Sequence, residues 1–175
     1  IATGTLTASD VDNPALRFVP DTFGGNYGSL VLQADGSWTY ALDARAEPLA
    51  EGQVVSEQFE VELSDGSTTF VTITVTGTND PAVVTGPVAG TVTEDGTLTT
   101  GGVLAATDVD GPATFVPRTV ALTYGDFSID AAGVWSYTLR NADANVQALT
   151  SSQHPTETVR VTTADGTPID ITVTV

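Results

Sequence analysis

The sequence predicts an all-β protein built from two tandem antiparallel Greek-key β-sandwich domains. Three observations support this prediction. Motifs of the first half return in order in the second half at a spacing of about 100 residues, apolar and polar residues alternate with period two, and Asp-Gly turn signals separate the alternating segments. A period of this length is too long for a solenoid unit and suits a small domain with its own core.

The recurring motifs place the boundary between the two domains. Four of them return in the same order: Asp-Val-Asp (10–12 and 108–110), Phe-Val-Pro (18–20 and 115–117), Gly-x-Trp-x-Tyr (36–40 and 133–137) and Asp-Gly (65–66 and 165–166). Between the copies lies Thr-Gly-Thr-Asn-Asp-Pro (76–81), in which Pro81 prevents the preceding strand from continuing inside a sheet. The predicted domains are residues 1–80 and 81–175.

Alternation predicts the strands one by one, each with one apolar face and one polar face. In the first repeat the apolar faces are Leu30 and Leu32; Trp38, Tyr40 and Leu42; Phe59, Val61 and Leu63; and Val71, Ile73 and Val75. In the second repeat they are Phe127 and Ile129; Trp135, Tyr137 and Leu139; and Ile169, Ile171, Val173 and Val175. Only segments 44–50 and 142–150 suggest a helical turn, and Pro48 limits the first.

The second repeat opens with a strand that the first repeat lacks. Gly-Thr-Val-Thr-Glu-Asp-Gly (90–96) has no copy before Ile1, so the first domain is predicted to lack its opening strand. Short strands with turn signals between them indicate an immunoglobulin-like or cadherin-like sandwich. The disulfide of immunoglobulin domains is absent because the chain has no Cys. We expect the chain to be a piece of a longer protein.

Composition excludes several classes of partner. The formal net charge is −17, both repeats are acidic, and none of the five basic residues is Lys. Such a surface repels phosphate, which excludes nucleic acid and anionic membrane surfaces. No apolar stretch reaches about 18 residues, so no membrane insertion is expected. Many carboxylates without Cys suit Ca²⁺ rather than Zn²⁺ or copper, although surface acids also serve solubility alone.

Carboxylates that converge on one point predict a cation site in the second repeat. In an extended segment Asp108 and Asp110 point to the same side, and two like charges held together favour a cation between them. The opening strand and the linker add further side-chain and backbone oxygens, of which Ca²⁺ takes about six to eight. The predicted ligands are Asn79, Asp80, Glu94, Asp95, Asp108 and Asp110.

Three other acids are weighed against this site. Asp65 is a weaker candidate ligand, because Asp-Gly at 65–66 favours a hairpin turn that needs no metal. Asp10 and Asp12 repeat the Asp-Val-Asp motif without an opening strand or a preceding linker. We expect their site to be incomplete and its Ca²⁺ weak or missing, and the sequence leaves open whether they bind calcium at all.

Two alternatives concern residues outside the acidic motifs. Trp38 and Trp135 could be sugar-stacking platforms, but their place on apolar strand faces indicates core residues. Ser152 and His154, the latter the single His, lie two residues apart in a polar loop with no orienting group visible. Catalysis is therefore not expected there.

The ordered motifs resemble the VCBS repeat, a family that makes up long stretches of large secreted, calcium-dependent bacterial adhesins related to the RTX proteins. The Glu-Asp-Gly opening, Asp-Val-Asp, Gly-x-Trp-x-Tyr, the late Asp-Gly and the Gly-Thr-Asn-Asp-Pro exit (77–81) support the resemblance over nearly the whole chain. It departs where the first repeat lacks the opening, the second ends before an exit motif, and Ala132 replaces Asp35. It implies an extracellular or bacterial cell-surface location, with Ca²⁺ between domains.

Together these features predict a non-enzymatic, calcium-stiffened extender repeat of a bacterial surface or secreted adhesin. Its partners would be neighbouring repeats of the same polypeptide. The alternative is a ligand-binding adhesin module that recognises glycan or protein. The sequence leaves open the host protein, the number of repeats, the adhesive target and self-association.

Overall fold

The computed structural model of the chain describes all 175 residues and divides it into two compact units, residues 1–79 and 80–175. Apart from one four-residue helix, the regular structure consists of β-strands, and nearly all of their pairings are antiparallel. The predicted all-β class is confirmed. Each unit has a hydrophobic core of its own.

Unit 1 contains six strands in two sheets. They are β1 (Ala2–Thr5), β2 (Asp21–Gly24), β3 (Gly28–Leu32), β4 (Ser37–Leu42), β5 (Val54–Glu62) and β6 (Thr68–Thr76). The first sheet has the order β1-β4-β3-β2, and the second is the β5-β6 hairpin. Because β2, β3 and β4 form a meander and β1 lies beside β4, the order is that of a Greek key.

Unit 2 contains nine strands and the helix. The strands are β7 (Val83–Thr85), β8 (Ala89–Thr91), β9 (Thr99–Val103), β10 (Ala105–Thr107), β11 (Arg118–Ala121), β12 (Gly125–Ile129), β13 (Val134–Leu139), β14 (Thr156–Thr162) and β15 (Pro168–Thr174), with α1 (Ala144–Gln147) before β14. The sheets have the orders β11-β12-β13-β9, β14-β15-β8 and β10-β7. Unit 1 has no counterpart of β7 or β8, as the missing opening strand predicts.

The predicted alternation places the core. Buried and exposed residues alternate strictly from Glu57 to Leu63 along β5 and from Val71 to Val75 along β6. In unit 2, Trp135 and Tyr137 are almost fully buried, and the Trp135 ring stacks on Phe127 with centroids 6.1 Å apart. The apolar faces of both sheets therefore meet in one core per unit.

One expectation in unit 1 is wrong. Leu42 is 52% exposed, whereas its counterpart Leu139 is 3% exposed, because no opening strand covers this edge of unit 1. Segment 44–50 forms turns that do not continue into a helix, and Pro48 lacks the N–H that a continuing helix requires. In unit 2 the equivalent segment does contain a helix, α1.

A carboxylate inside each core is the feature that sequence reasoning missed. Glu57 and Glu157 are buried, and each accepts a hydrogen bond from the hydroxyl of a core tyrosine, Tyr40 and Tyr137 respectively. Backbone N–H groups of the β2–β3 and β11–β12 turns also donate to them. Burial and the nearby carboxylate raise the pKa of both tyrosines, so the hydroxyls remain donors. The signal was an acid at an inward-facing strand position in both repeats.

Candidate metal site at the start of unit 2

The candidate site lies where the chain enters unit 2. Strand β10 pairs antiparallel with β7, with Thr107 opposite Val83. The residues after β10 and the residues before β7 therefore lie at the same end of the unit. This topology brings the Asp108–Asp110 segment next to Asp80, whose N–H donates to Oδ2 of Asp110 at 3.3 Å.

Asp108 converges on Asp110 through a turn. Its Oδ1 accepts the backbone N–H of Asp110 at 3.1 Å and that of Gly111 at 2.7 Å. Such a side-chain turn is the usual way in which Asp replaces a backbone acceptor. The expected extended segment is wrong, because β10 ends at Thr107 and the chain bends at once. The predicted proximity of the two carboxylates is nevertheless present.

Two carboxylate oxygens at this turn have no partner. Oδ2 of Asp108 and Oδ1 of Asp110 are shielded from solvent and accept no hydrogen bond. Burial raises the pKa of the Asp110 carboxyl, and the proximity of Asp108 and Asp80 raises it further, against the opposing hydrogen bond from the Asp80 N–H. Buried acceptors without donors are costly, so this pair favours a proton or a cation.

Asp165 fastens the same end of the unit. Its carboxylate accepts hydrogen bonds from the N–H of Ala82 at 3.0 Å and from the hydroxyls of Thr163 and Thr167. Burial acts to raise its pKa, but these hydrogen bonds outweigh burial and hold the pKa well below its usual range. Asp165 is thus fully partnered and ties the incoming segment to the β14–β15 turn.

Asp165→Asn should therefore lower the free energy of unfolding of unit 2 at pH 7 by about 1 kcal/mol, because the amide cannot accept all of these hydrogen bonds. A lowered folded-state pKa gives stability that is present above the unfolded pKa, about 4, and is lost as the pH falls toward the folded value. Urea unfolding at pH 7 and at pH 3 should show the difference between variant and wild type shrinking at low pH. Asp65→Asn, at the exposed equivalent turn, is the matched control; an equal loss there would contradict the tethering role.

Unit 1 repeats the turn without the burial. Oδ1 of Asp10 accepts the N–H of Asp12 at 2.8 Å and that of Asn13 at 3.2 Å, as in unit 2. Asp10 and Asp12 are both exposed, and Val11 between them is 99% exposed. The two turns therefore share their local geometry and differ in burial, which makes the first a natural control for the second.

The structure separates Glu94 and Asp95 from this site. They follow β8, whose last residue, Thr91, pairs with the last residue of β15, whereas Asp165 precedes β15. The seven residues of β15 span about 20 Å, so the two acids lie at the opposite end of unit 2. Asp95 has φ 54° and exchanges hydrogen bonds with Asn141.

The remaining predicted residues have simpler surroundings. Asn79 is exposed and is the last residue of unit 1. Asp65 is exposed, and its Oδ1 accepts both the N–H and the hydroxyl of Ser67 at 2.9 and 2.6 Å, which is the turn arrangement. His154 and Ser152 are exposed and make no hydrogen bond to each other.

No group of three or more His, Cys, Asp or Glu side chains is arranged to hold a metal ion. The available donor set at the turn is two carboxylates, the nearby Asp80 and backbone carbonyls. All of these are oxygen donors, which suit the hard cation Ca²⁺ and do not suit metals that prefer nitrogen or sulfur. The two unpartnered oxygens are the observation that makes the residues compatible with such an ion.

Two tandem β-sandwich units that share the same four-stranded Greek-key sheet define a class of modular, repeated all-β domains. The chain belongs to the bacterial cadherin-like domain family, which matches residues 1–77 and 79–175. This family indicates a structural or adhesion-type repeat, and its domains are typically non-catalytic and extracellular. No curated protein matches the chain. None of its helices has the length and apolar character needed to cross a membrane.

Proposed function

We propose that this chain is a calcium-stiffened extender segment of a large bacterial surface or secreted adhesin of the RTX type. The observation that supports it is the pair of buried, unpartnered carboxylate oxygens on Asp108 and Asp110. No ion pair in the structure involves either of these two carboxylates. Extracellular calcium at millimolar concentration fills sites of the weak extracellular class, with Kd about 10⁻⁴ to 10⁻³ M.

Asp108 and Asp110 would hold the ion through the two free oxygens, with Asp80 adding charge close by. The bound ion supplies positive charge that replaces mutual repulsion of the carboxylates by a common attraction. Asp80 is the first residue of unit 2 and already donates its N–H to Asp110. Neutralising Asp110 and Asp108 therefore strengthens the anchorage of the segment through which the chain enters unit 2.

Anchoring this segment would restrict motion between the two units, which is the property an extender needs. The connection is short, because β6 ends at Thr76 and β7 begins at Val83. In a short connection each residue that is fixed removes a large share of the available conformations. Repetition of such units would then transmit stiffness along a longer polypeptide.

Small-angle X-ray scattering should show this effect. In a few millimolar Ca²⁺ we expect a longer maximum dimension and a narrower distance distribution than in chelator, while circular dichroism reports folded sheet in both. There are two controls. Mg²⁺ should not change the scattering of the wild type, and Ca²⁺ should not change the scattering of the Asp110→Asn variant. If the wild-type curves with Ca²⁺ and with chelator superimpose, the extender proposal fails and a ligand-binding module becomes the better account.

A further inference from the structure

Each unit has an open side between two edge strands, β2 and β5 in unit 1 and β11 and β14 in unit 2. At one end of this side the two sheets are joined by an isolated bridge, Phe18 to Leu63 in unit 1 and Phe115 to Thr163 in unit 2. Strands β7 and β8 pair with β10 and β15, at other edges of unit 2. The open side is therefore built from the same elements in both units, whether or not an opening strand is present.

The charges on this side are inverted between the units. Asp21 corresponds to Arg118, because each lies opposite the last residue of the neighbouring strand, β3 or β12. Glu60 corresponds to Arg160, because each lies three residues before the bridged residue of the second sheet. Unit 1 thus has an acid at both of the positions where unit 2 has an arginine.

In unit 2 the two arginines lie together. Nη1 of Arg118 donates to the backbone carbonyl of Arg160, and Arg160 forms a bidentate ion pair with Asp170 at 2.8 and 2.9 Å. Both members of the ion pair are exposed, so the pair adds little to stability and its guanidinium can accept a new partner. Arg118 uses one of the five N–H donors of its guanidinium. These two side chains form the arginine face of unit 2.

In unit 1 a groove of about 310 Å³ lies at this place, with Val61 among its lining residues and Asp21, Glu60 and Glu62 around it. Asp21 cannot repeat the bond made in unit 2, because a carboxylate has no N–H to donate; its Oδ1 accepts the N–H of Thr22 at 2.7 Å instead. The carbonyl of Glu60 therefore lacks the side-chain donor that its counterpart in unit 2 has.

An exposed aromatic ring adjoins these acids. Phe70 lies opposite Glu60 in the β5–β6 hairpin and is 54% exposed, at the position where unit 2 has Asp170. A guanidinium can stack on such a ring while its N–H groups bond to carboxylates beside it. The groove, the acids and the ring together make the acidic face of unit 1, which consists of Asp21, Glu60, Glu62 and Phe70.

We propose that the acidic face of unit 1 binds the arginine face of unit 2 in a second copy of this chain. Opposite charges select this contact, since two acidic faces or two arginine faces would place like charges against each other. The net charge of −17 on each copy opposes association at long range. At physiological ionic strength, however, charges more than about 8 Å apart are largely screened, so the charges in the contact itself decide.

The contact joins unlike faces, and this determines how copies can assemble. One copy contributes its acidic face and the other its arginine face, so each keeps its second face free. Contacts of this kind continue from copy to copy unless they close into a ring. The chain would then link separate polypeptides, a role additional to that of an extender within one polypeptide.

Sedimentation velocity of the full chain tests this proposal, in chelator and at about 0.15 M salt. The sedimentation coefficient of the wild type should rise with protein concentration. Glu60→Arg and Arg160→Glu should each weaken association about tenfold or more, because each leaves two faces of like charge. An equimolar mixture of the two variants should associate again, since the acidic face of one and the arginine face of the other are intact.

Glu51→Arg is the matched control, because Glu51 is exposed, lies before the other end of β5 and gives the same change in net charge. It should associate like the wild type, and circular dichroism should show folded sheet in all variants.

Three results would overturn the proposal. The first is a wild type that stays monomeric at its highest soluble concentration. The second is association that persists unchanged in both single variants, which would place the contact on another surface. The third is a mixture of the two folded variants that does not associate. Because the experiment is run in chelator, none of these results bears on the calcium site.

Discussion

Calcium is expected to raise the free energy of unfolding of unit 2 by about 3 kcal/mol when its concentration is about 100 times Kd. The reason is that the folded turn holds two unpartnered carboxylate oxygens close together, whereas the unfolded chain does not. Urea unfolding of the Trp38→Phe variant, followed by fluorescence of the buried Trp135, measures unit 2 alone.

Matched variants make this expectation specific. Asp108→Asn and Asp110→Asn should each remove most of the calcium effect. Asp10→Asn should not, because the equivalent turn of unit 1 is exposed and shares only the local hydrogen bonds. Two results would contradict the assignment of the site. One is a calcium stabilisation of unit 2 that persists in both Asp108→Asn and Asp110→Asn, and the other is an equal stabilisation by Mg²⁺.

In calcium, Asp110→Asn should make unit 2 less stable than the wild type because the ion is lost. In chelator the same substitution should raise the free energy of unfolding of unit 2. Burial and the two neighbouring carboxylates raise the pKa of Asp110, which means that its charged form is disfavoured in the folded state. Asparagine removes that charge, and its amide can donate to the free oxygen of Asp108. We therefore expect the urea midpoint of unit 2 in chelator to rise.

Opposite effects of Asp110→Asn on stability with and without calcium would distinguish a metal site from an ordinary structural turn. In an ordinary turn Asp110→Asn would be neutral or destabilising with and without calcium. Asp12→Asn is the control, since Asp12 occupies the equivalent position at an exposed turn. A lower urea midpoint for Asp110→Asn in chelator would show that the two carboxylates are not in conflict and would remove the physical basis of the proposed site.

Most of the fold was predictable because alternation and repetition are strong signals. Strands such as β5, β6 and β15 follow the apolar alternation, and Gly36 and Gly166 take φ of 85° and 89° at the predicted Asp-Gly turns. At Gly36 and Gly133 a Cβ would also lie 2.3 Å from a backbone carbonyl oxygen. The exposure of Leu42 was not predictable from its own strand, because it depends on whether another segment covers that edge.

The candidate site was predictable only in part. Sequence spacing predicted that Asp108 and Asp110 lie close together, which they do, but a turn and not an extended strand brings them together. The prediction that Glu94 belongs to the same site was wrong. The sequence shows that Glu94 adjoins the opening strand, but it does not show which end of that strand lies near Asp108 and Asp110. Asp165 was missed as an anchor because its partner, the N–H of Ala82, is 83 residues away.

The most direct test of the calcium site is calorimetric titration of the full chain with Ca²⁺. We predict one dominant site with Kd about 10⁻⁴ to 10⁻³ M. That site should be lost in Asp108→Asn and Asp110→Asn and kept in Asp10→Asn and Asp12→Asn. Absence of binding heat up to several millimolar Ca²⁺, or equal losses from substitutions in both turns, would contradict the proposal that the half-buried turn of unit 2 is a calcium site.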